Sequence, residues 1–290
     1  MTRPFTLCRL PSPAAALLPA LLVLASCKDE GPPPVPPVPA EALAAVSADP
    51  GTDREQLARA VDALFTREDI GETRALIVMH AGEVAASRYE DGYGPKTKFL
   101  GWSMSKTVTG VLIGMMVADG RLRLDDSPPI PRWQRAGDPR GEITLRQLLQ
   151  MRSGLRHEEK AEPVYTSDEV RMLFLDGRDD MAGWAEAQPL EHEPGREFDY
   201  STATAVILSD IATRVLAPKG SAEERRAAMD DFLRARLAVP LGMKSLTAEY
   251  DRAGTMIGGS MIWATAPDWA RFGEFLRHGG AVKGAQIVPR

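Results

Sequence analysis

Cysteine is nearly absent: the 290 residues contain two, Cys8 and Cys27. So few thiols exclude a disulfide framework and any cysteine-rich zinc or iron–sulfur site. Excess positive charge is also missing. Lys and Arg number 35 against 40 Asp and Glu, a formal net charge of −5, which argues against a generic nucleic-acid binder. Histidine is scarce, and His80, His157, His192 and His278 show no H-E-x-x-H or paired spacing. Glu191-His192-Glu193 reads as a solvated loop, so no metal site is expected. A P-loop and a dinucleotide fingerprint are lacking, so no cofactor is expected. No G-x-S-x-G exists either, which disfavours an α/β-hydrolase elbow. The apolar run from Ala14 to Ala25 is too short to span a bilayer as a permanent helix.

What is present is globular composition, 44% hydrophobic and 26% charged, in a length that suits one large domain or two small ones. The N-terminus reads as an export leader, with Arg3 and Arg9 ahead of the apolar run and Leu24-Ala25-Ser26-Cys27 after it. Small residues before a cysteine resemble the lipobox of bacterial lipoproteins. That resemblance implies a signal peptide over residues 1–26, lipid attachment to Cys27 and a place on the periplasmic side of the cell envelope, anchored to a membrane. A plain secretory leader with an incidental Cys27 is the alternative. Gly31-Pro32-Pro33-Pro34-Val35-Pro36-Pro37-Val38-Pro39 reads as a polyproline spacer, so residues 27–52 are expected to be a linker and 53–290 the folded domain.

Within that domain, Leu57, Val61, Leu64 and Phe65 recur at helical spacing behind a possible cap at Asp53. Ala75–Met79 and Val84–Tyr89, joined at Ala81-Gly82, read as a β-hairpin. Val108–Val117 is apolar nearly all round and should be a buried helix. Thr144 with Gln147 makes a capping box for a helix over Leu145–Met151, closed by Gly154. Further helices are expected over Ala203–Leu216 and from Thr265 and Asp268 to Gly279. Many helices after one hairpin suggest an α+β fold.

The chemistry centres on Ser103 and Lys106, an S-x-x-K at the start of the buried helix. One turn apart, the two side chains share a face. A lysine set against an apolar helix loses hydration and can accept a proton, while the helix N-terminus favours a developing alkoxide and aims the Ser103 N–H at an oxyanion. The plainer reading makes Ser103 an N-cap and Lys106 a solvated first-turn residue. Tyr200, in Glu197-Phe198-Asp199-Tyr200-Ser201 before the next helix, could relay a proton to such a lysine or could be a packed aromatic. Trp102 and Tyr165 could line a substrate pocket or belong to the core.

Four blocks occur in an order that resembles the class C β-lactamase-related serine hydrolases. They are Trp102-Ser103-Met104-Ser105-Lys106-Thr107, Ile143 to Leu155, Pro194-Gly195 leading into Tyr200-Ser201, and Gly258-Gly259-Ser260 followed by Ala264-Thr265-Ala266. The resemblance spans about residues 70–290. Asp180 to Ala185 with Pro189-Leu190-Glu191 looks most like the 6-aminohexanoate-dimer hydrolase branch. It implies a β-lactamase/transpeptidase-like α+β fold, an antiparallel sheet with flanking helices plus a helical region. It also implies hydrolysis of a small-molecule or peptide-like amide or ester, with Ser103 as acylated nucleophile, Lys106 as its proton partner and Tyr200 as catalytic base or acid. Trp102, Tyr165, Thr202 and Ser260 are the substrate-contact candidates.

The family's Y-x-N here reads Tyr200-Ser201-Thr202, which replaces a substrate-facing amide with a shorter hydroxyl and argues against β-lactamase activity itself. Its K-T-G or H-x-G strand is not found between Gly258 and Arg290, so that motif, the last strands and the second oxyanion N–H are expected beyond Arg290, and an unpaired hairpin edge is expected in this chain. A penicillin-binding D-Ala-D-Ala peptidase and a non-catalytic relative or inactive fragment are the rival readings.

Overall fold

The computed structural model describes residues 36–289. The expected signal peptide, Cys27 and most of the proline run lie outside the described residues. The first helix is α1 (Ala40–Ala44), followed by α2 (Arg54–Thr66), where Asp53 accepts a hydrogen bond from the Gln56 N–H at 2.8 Å as its cap. α1 falls inside residues 27–52, the stretch expected to be a linker. Ala42 and Val46 are buried with Ala58 and Val61 of α2 and with Ala86. The Ser47 N–H donates to the Ala85 carbonyl at 2.9 Å, and the Arg54 guanidinium donates to the Leu43, Val46 and Ser47 carbonyls. Residues 40–47 therefore pack as part of the fold.

The hairpin forms as expected, β1 (Ala75–His80) against β2 (Glu83–Tyr89), with Ala81 and Gly82 both at positive φ in the tight turn. β3 (Lys98–Leu100) belongs to a different sheet. Next come α3 (Met104–Ala118), α4 (Leu145–Leu149), α5 (Asp168–Phe174), α6 (Met181–Glu186), α7 (Thr202–Leu216), α8 (Ala222–Leu233) and the short α9 (Val239–Leu241). β4 (Thr247–Ala248), β5 (Ile262–Thr265), α10 (Ala266–Arg277), β6 (Ala281–Val282) and β7 (Ala285–Gln286) complete the order. The strands make three antiparallel sheets, β1-β2, β3-β5-β4 and β6-β7, so the α+β class holds while the single expected sheet is divided. Among the described residues β1 pairs with β2 alone.

The core is helical. Val108, Leu112, Ile113, Met115 and Met116 of α3 are fully buried and share one apolar cluster with Val206, Ile207 and Ile211 of α7. Fully burying side chains of this size is worth roughly 1.5–3 kcal/mol each. α7 is buried continuously from Thr202 to Thr213, which forces its polar residues to find internal partners. Ser209 and Thr213 donate to carbonyls one turn back, and Asp210 pairs with Arg214 and Arg225.

The capping box at Thr144 forms with both of its hydrogen bonds, but α4 ends at Leu149, two residues short of expectation. Met151 takes a positive φ of 55° and Gly154 one of 75°, so the chain turns out of the helix early. The exposed carbonyls of that turn are put to use. Met151, Arg152 and Gly154 accept from the N–H groups of Asp199, Gly195 and Glu191 at 2.8, 2.7 and 2.9 Å. The Ile143–Leu155 block thereby fastens the segment that delivers Tyr200.

Candidate active site

Three elements converge at the N-terminus of α3. The Gly101-Trp102-Ser103 turn follows β3 and is tied to β5 by the Gly101 N–H, which donates to the Ile262 carbonyl at 2.8 Å. Trp102 sits at φ 42°, a left-handed conformation that costs a non-glycine residue on the order of 1 kcal/mol and that places Ser103 at the mouth of the helix. Ser103 makes no capping hydrogen bond through its side chain. Its hydroxyl therefore remains available for chemistry, which removes the N-cap reading.

Around that hydroxyl stand the two partners expected. The Tyr200 hydroxyl donates to Ser103 Oγ at 2.7 Å, and Lys106 Nζ lies 3.4 Å from the same oxygen. Lys106 is not solvated. Its other two donors reach the Thr202 hydroxyl at 3.0 Å and the Gly259 carbonyl at 2.8 Å, and its ammonium stands 4.9 Å from the centre of the Tyr200 ring. Three donors with three oxygen acceptors fix the ammonium in one place. Among the described residues no backbone or side-chain acceptor takes the Ser103 N–H, which leaves it free to face a developing oxyanion.

Tyr200 is 40% exposed, so its ring is reachable from solvent and is not core. Trp102 is 54% exposed at the rim beside Ser103, and Tyr165 is 61% exposed on the turn Val164–Thr166. Thr202 departs from the expected substrate contact: it is fully buried, and its hydroxyl is committed to Lys106 and Glu159. Ser260 is buried as well, with its hydroxyl unpartnered among the described residues.

Sequence reasoning missed the layer behind the lysine. Glu159 accepts from the Thr202 N–H at 3.0 Å and from the Thr202 hydroxyl at 2.6 Å, and it is bonded to His157 Nε2. Glu169 of α5 lies 3.3 Å from the same hydroxyl. Burial pushes the Glu159 carboxyl up, but hydrogen bonds from His157 and Thr202 outweigh it and hold the group below the usual range. Burial, with the Glu159 charge beside it, raises Glu169, and burial likewise raises Asp199. No spacing rule flags these residues, since Glu159 meets Thr202 across 43 positions of sequence. Gly259 contributes only a backbone carbonyl, which every residue type carries.

A groove of about 630 Å³ between the hairpin and α10, lined by Ile77, Met79, Val84 and Phe275, contains none of Ser103, Lys106 and Tyr200.

The sequence profile of the Beta-lactamase family matches residues 61–289. A 6-aminohexanoate-dimer hydrolase of Paenarthrobacter ureafaciens is 28% identical over 262 residues, which is 83% of this chain and 62% of that protein. Protein flp of Staphylococcus aureus is 32% identical over 124 residues, 42% of this chain and 24% of its own. Among solved structures, a candidate 6-aminohexanoate-dimer hydrolase from Bacillus anthracis superposes with a TM-score of 0.63 at 23% identity, covering 76% of this chain and 58% of that one. The chain thus spans less than two thirds of the length of these relatives.

Proposed function

From the premise that this chain belongs to the beta-lactamase family, we propose that it is a serine hydrolase that cleaves an amide or ester through an acyl-enzyme on Ser103. One observation carries the reading: a hydroxyl free of any capping role is met at 2.7 Å by a tyrosine and at 3.4 Å by a lysine whose remaining donors are held by the protein. Once the Lys106–Tyr200 pair has given up one proton to solvent, Ser103 Oγ attacks the substrate carbonyl carbon as its own proton passes to that pair. The carbon–nitrogen or carbon–oxygen bond breaks, and that proton goes to the departing amine or alcohol. Water then attacks the acyl carbon, releasing the acid and restoring the Ser103 hydroxyl. The Ser103 N–H, at the N-terminus of the 15-residue α3, steadies the oxyanion in both steps.

The named activity of the Paenarthrobacter relative favours a small or peptide-like amide as substrate. Replacement of the family's asparagine by Thr202, with its hydroxyl turned to Lys106, argues against a β-lactam. The leader pattern that ends at Cys27 supports a lipid-anchored protein on the periplasmic face of the bacterial envelope. Labelling with a fluorophosphonate followed by peptide mass spectrometry tests the assignment. An adduct on Ser103 that vanishes in Ser103→Ala supports it, and an adduct on any other residue overturns it.

A further inference from the structure

Among the described residues the Lys106 ammonium touches no carboxylate directly, yet it faces negative charge through one buried hydroxyl. Thr202 Oγ1 accepts from Lys106 Nζ at 3.0 Å and has a single proton of its own, which goes to Glu159 at 2.6 Å. The other Glu159 oxygen takes the Thr202 N–H at 3.0 Å, so the carboxylate grips that residue at both backbone and side chain. Thr202 is the first residue of α7, and a carboxylate on the leading N–H of a 15-residue helix is favoured by the helix dipole. The back of Glu159 is closed by His157, whose side chain is 1% exposed and whose Nδ1 has no partner among the described residues. A ring buried with one nitrogen orphaned, at a cost of about 1–3 kcal/mol, is retained here in contact with Glu159.

We propose that Glu159, backed by His157, is the positioning residue of the site: through the Thr202 hydroxyl it fixes Lys106 against Ser103 and supplies the negative charge that the lysine faces. The inference rests on the serine hydrolase reading and assigns work to residues outside the motifs. Four other charged or titratable groups bear on the lysine or the carboxylate. Glu169 comes from α5, Asp199 and Tyr200 from the segment entering α7, and His157 from the loop before α5. α3 brings no charged side chain besides Lys106 itself, and the Gly258-Gly259-Ser260 strip brings none.

The test is the rate of fluorophosphonate labelling of Ser103 against pH, in the full 290-residue chain. In that step the Oγ–P bond forms, fluoride leaves, and the serine proton passes to the Lys106–Tyr200 pair. Glu159→Gln keeps the shape and removes the charge. Its labelling rate is expected to fall about tenfold, and the midpoint of its profile to move toward lower pH, because the negative charge behind Thr202 is gone. Thr202→Val, which leaves the Glu159 charge in place, should lose about tenfold in rate, and Thr202→Ser should recover it to within about twofold. A role confined to stability would lower the melting temperature of these variants and leave rate and midpoint alone, which would overturn the proposal. Thr202→Ser keeps the question decidable where Glu159→Gln or Thr202→Val does not fold: a Ser variant no better than tenfold impaired contradicts it. If Ser103 of the parent chain is not labelled at all, the hydrolase reading fails instead, so the two failures are distinct.

Discussion

Gly258→Ala is a stringent perturbation because it strikes the strip that holds the lysine without touching a reactive group. A Cβ at position 258 would fall 2.2 Å from both Ser209 Oγ and Thr109 Oγ1 and 3.0 Å from the Met256 methyl. Ser209 and Thr109 are buried in α7 and α3, so neither hydroxyl can swing into solvent. The strip must move instead. Overpacking of this kind costs about 1–3 kcal/mol, and the Thr109 hydroxyl, which donates to the Gly258 carbonyl at 2.9 Å, loses about 1 kcal/mol more. A total of about 2–4 kcal/mol lowers the melting temperature of a chain this size by roughly 5–15 °C. Displacing Gly259 also removes the carbonyl that Lys106 meets at 2.8 Å, so Ser103 labelling should slow in the same variant. Circular dichroism melting and a labelling time course read the two effects. Removing one clashing hydroxyl with Ser209→Ala should make the double variant less damaged than the sum of the singles. A Gly258→Ala protein that melts within about 2 °C of the parent and labels at the parent rate would refute the packing argument.

Other consequences follow from single groups. Tyr200→Phe deletes the hydroxyl that donates to Ser103 Oγ, and labelling should fall by about 100-fold or more while the melting temperature barely moves, since the ring is 40% exposed. Burial, with Asp210 beside it, raises Glu186 to about 7 despite Arg214. Its folded value exceeds its unfolded one, so the stability it contributes is full below about pH 4.5 and is lost as pH rises through about 7. Melting curves between pH 5 and 8 should show a smaller loss in Glu186→Gln than in the parent; equal losses would contradict the assignment.

How much was legible in the sequence depends on the range over which each signal acts. Ser103 and Lys106 could be paired because a helical turn fixes their relation locally. The cap at Asp53 and the capping box at Thr144 were readable for the same reason. For Tyr200 the residues alone left relay and packed aromatic both open, because its approach to Ser103 spans 97 residues and depends on the turn carbonyls of Met151, Arg152 and Gly154. Thr265 and Asp268 open the last helix as expected, but the bonds that the Asp268 carboxylate accepts from the N–H and hydroxyl of Ser245 are tertiary and left no local signal. α8 carried a readable start in Ser221 and Glu224, yet its charged face hides the apolar signal, with Met229, Phe232 and Leu233 alone buried. Glu159 and His157 belong to no motif, and only the folded chain brings them to Thr202.

The most direct test of the central claim is to mix the chain with an activated p-nitrophenyl ester, quench within milliseconds and weigh the intact protein. An acyl-enzyme on Ser103 gives a burst of p-nitrophenol together with one acyl group added, located on the peptide that carries Ser103 and absent from Ser103→Ala. Ester turnover that leaves no acyl group on Ser103, or that survives Ser103→Ala, would contradict it.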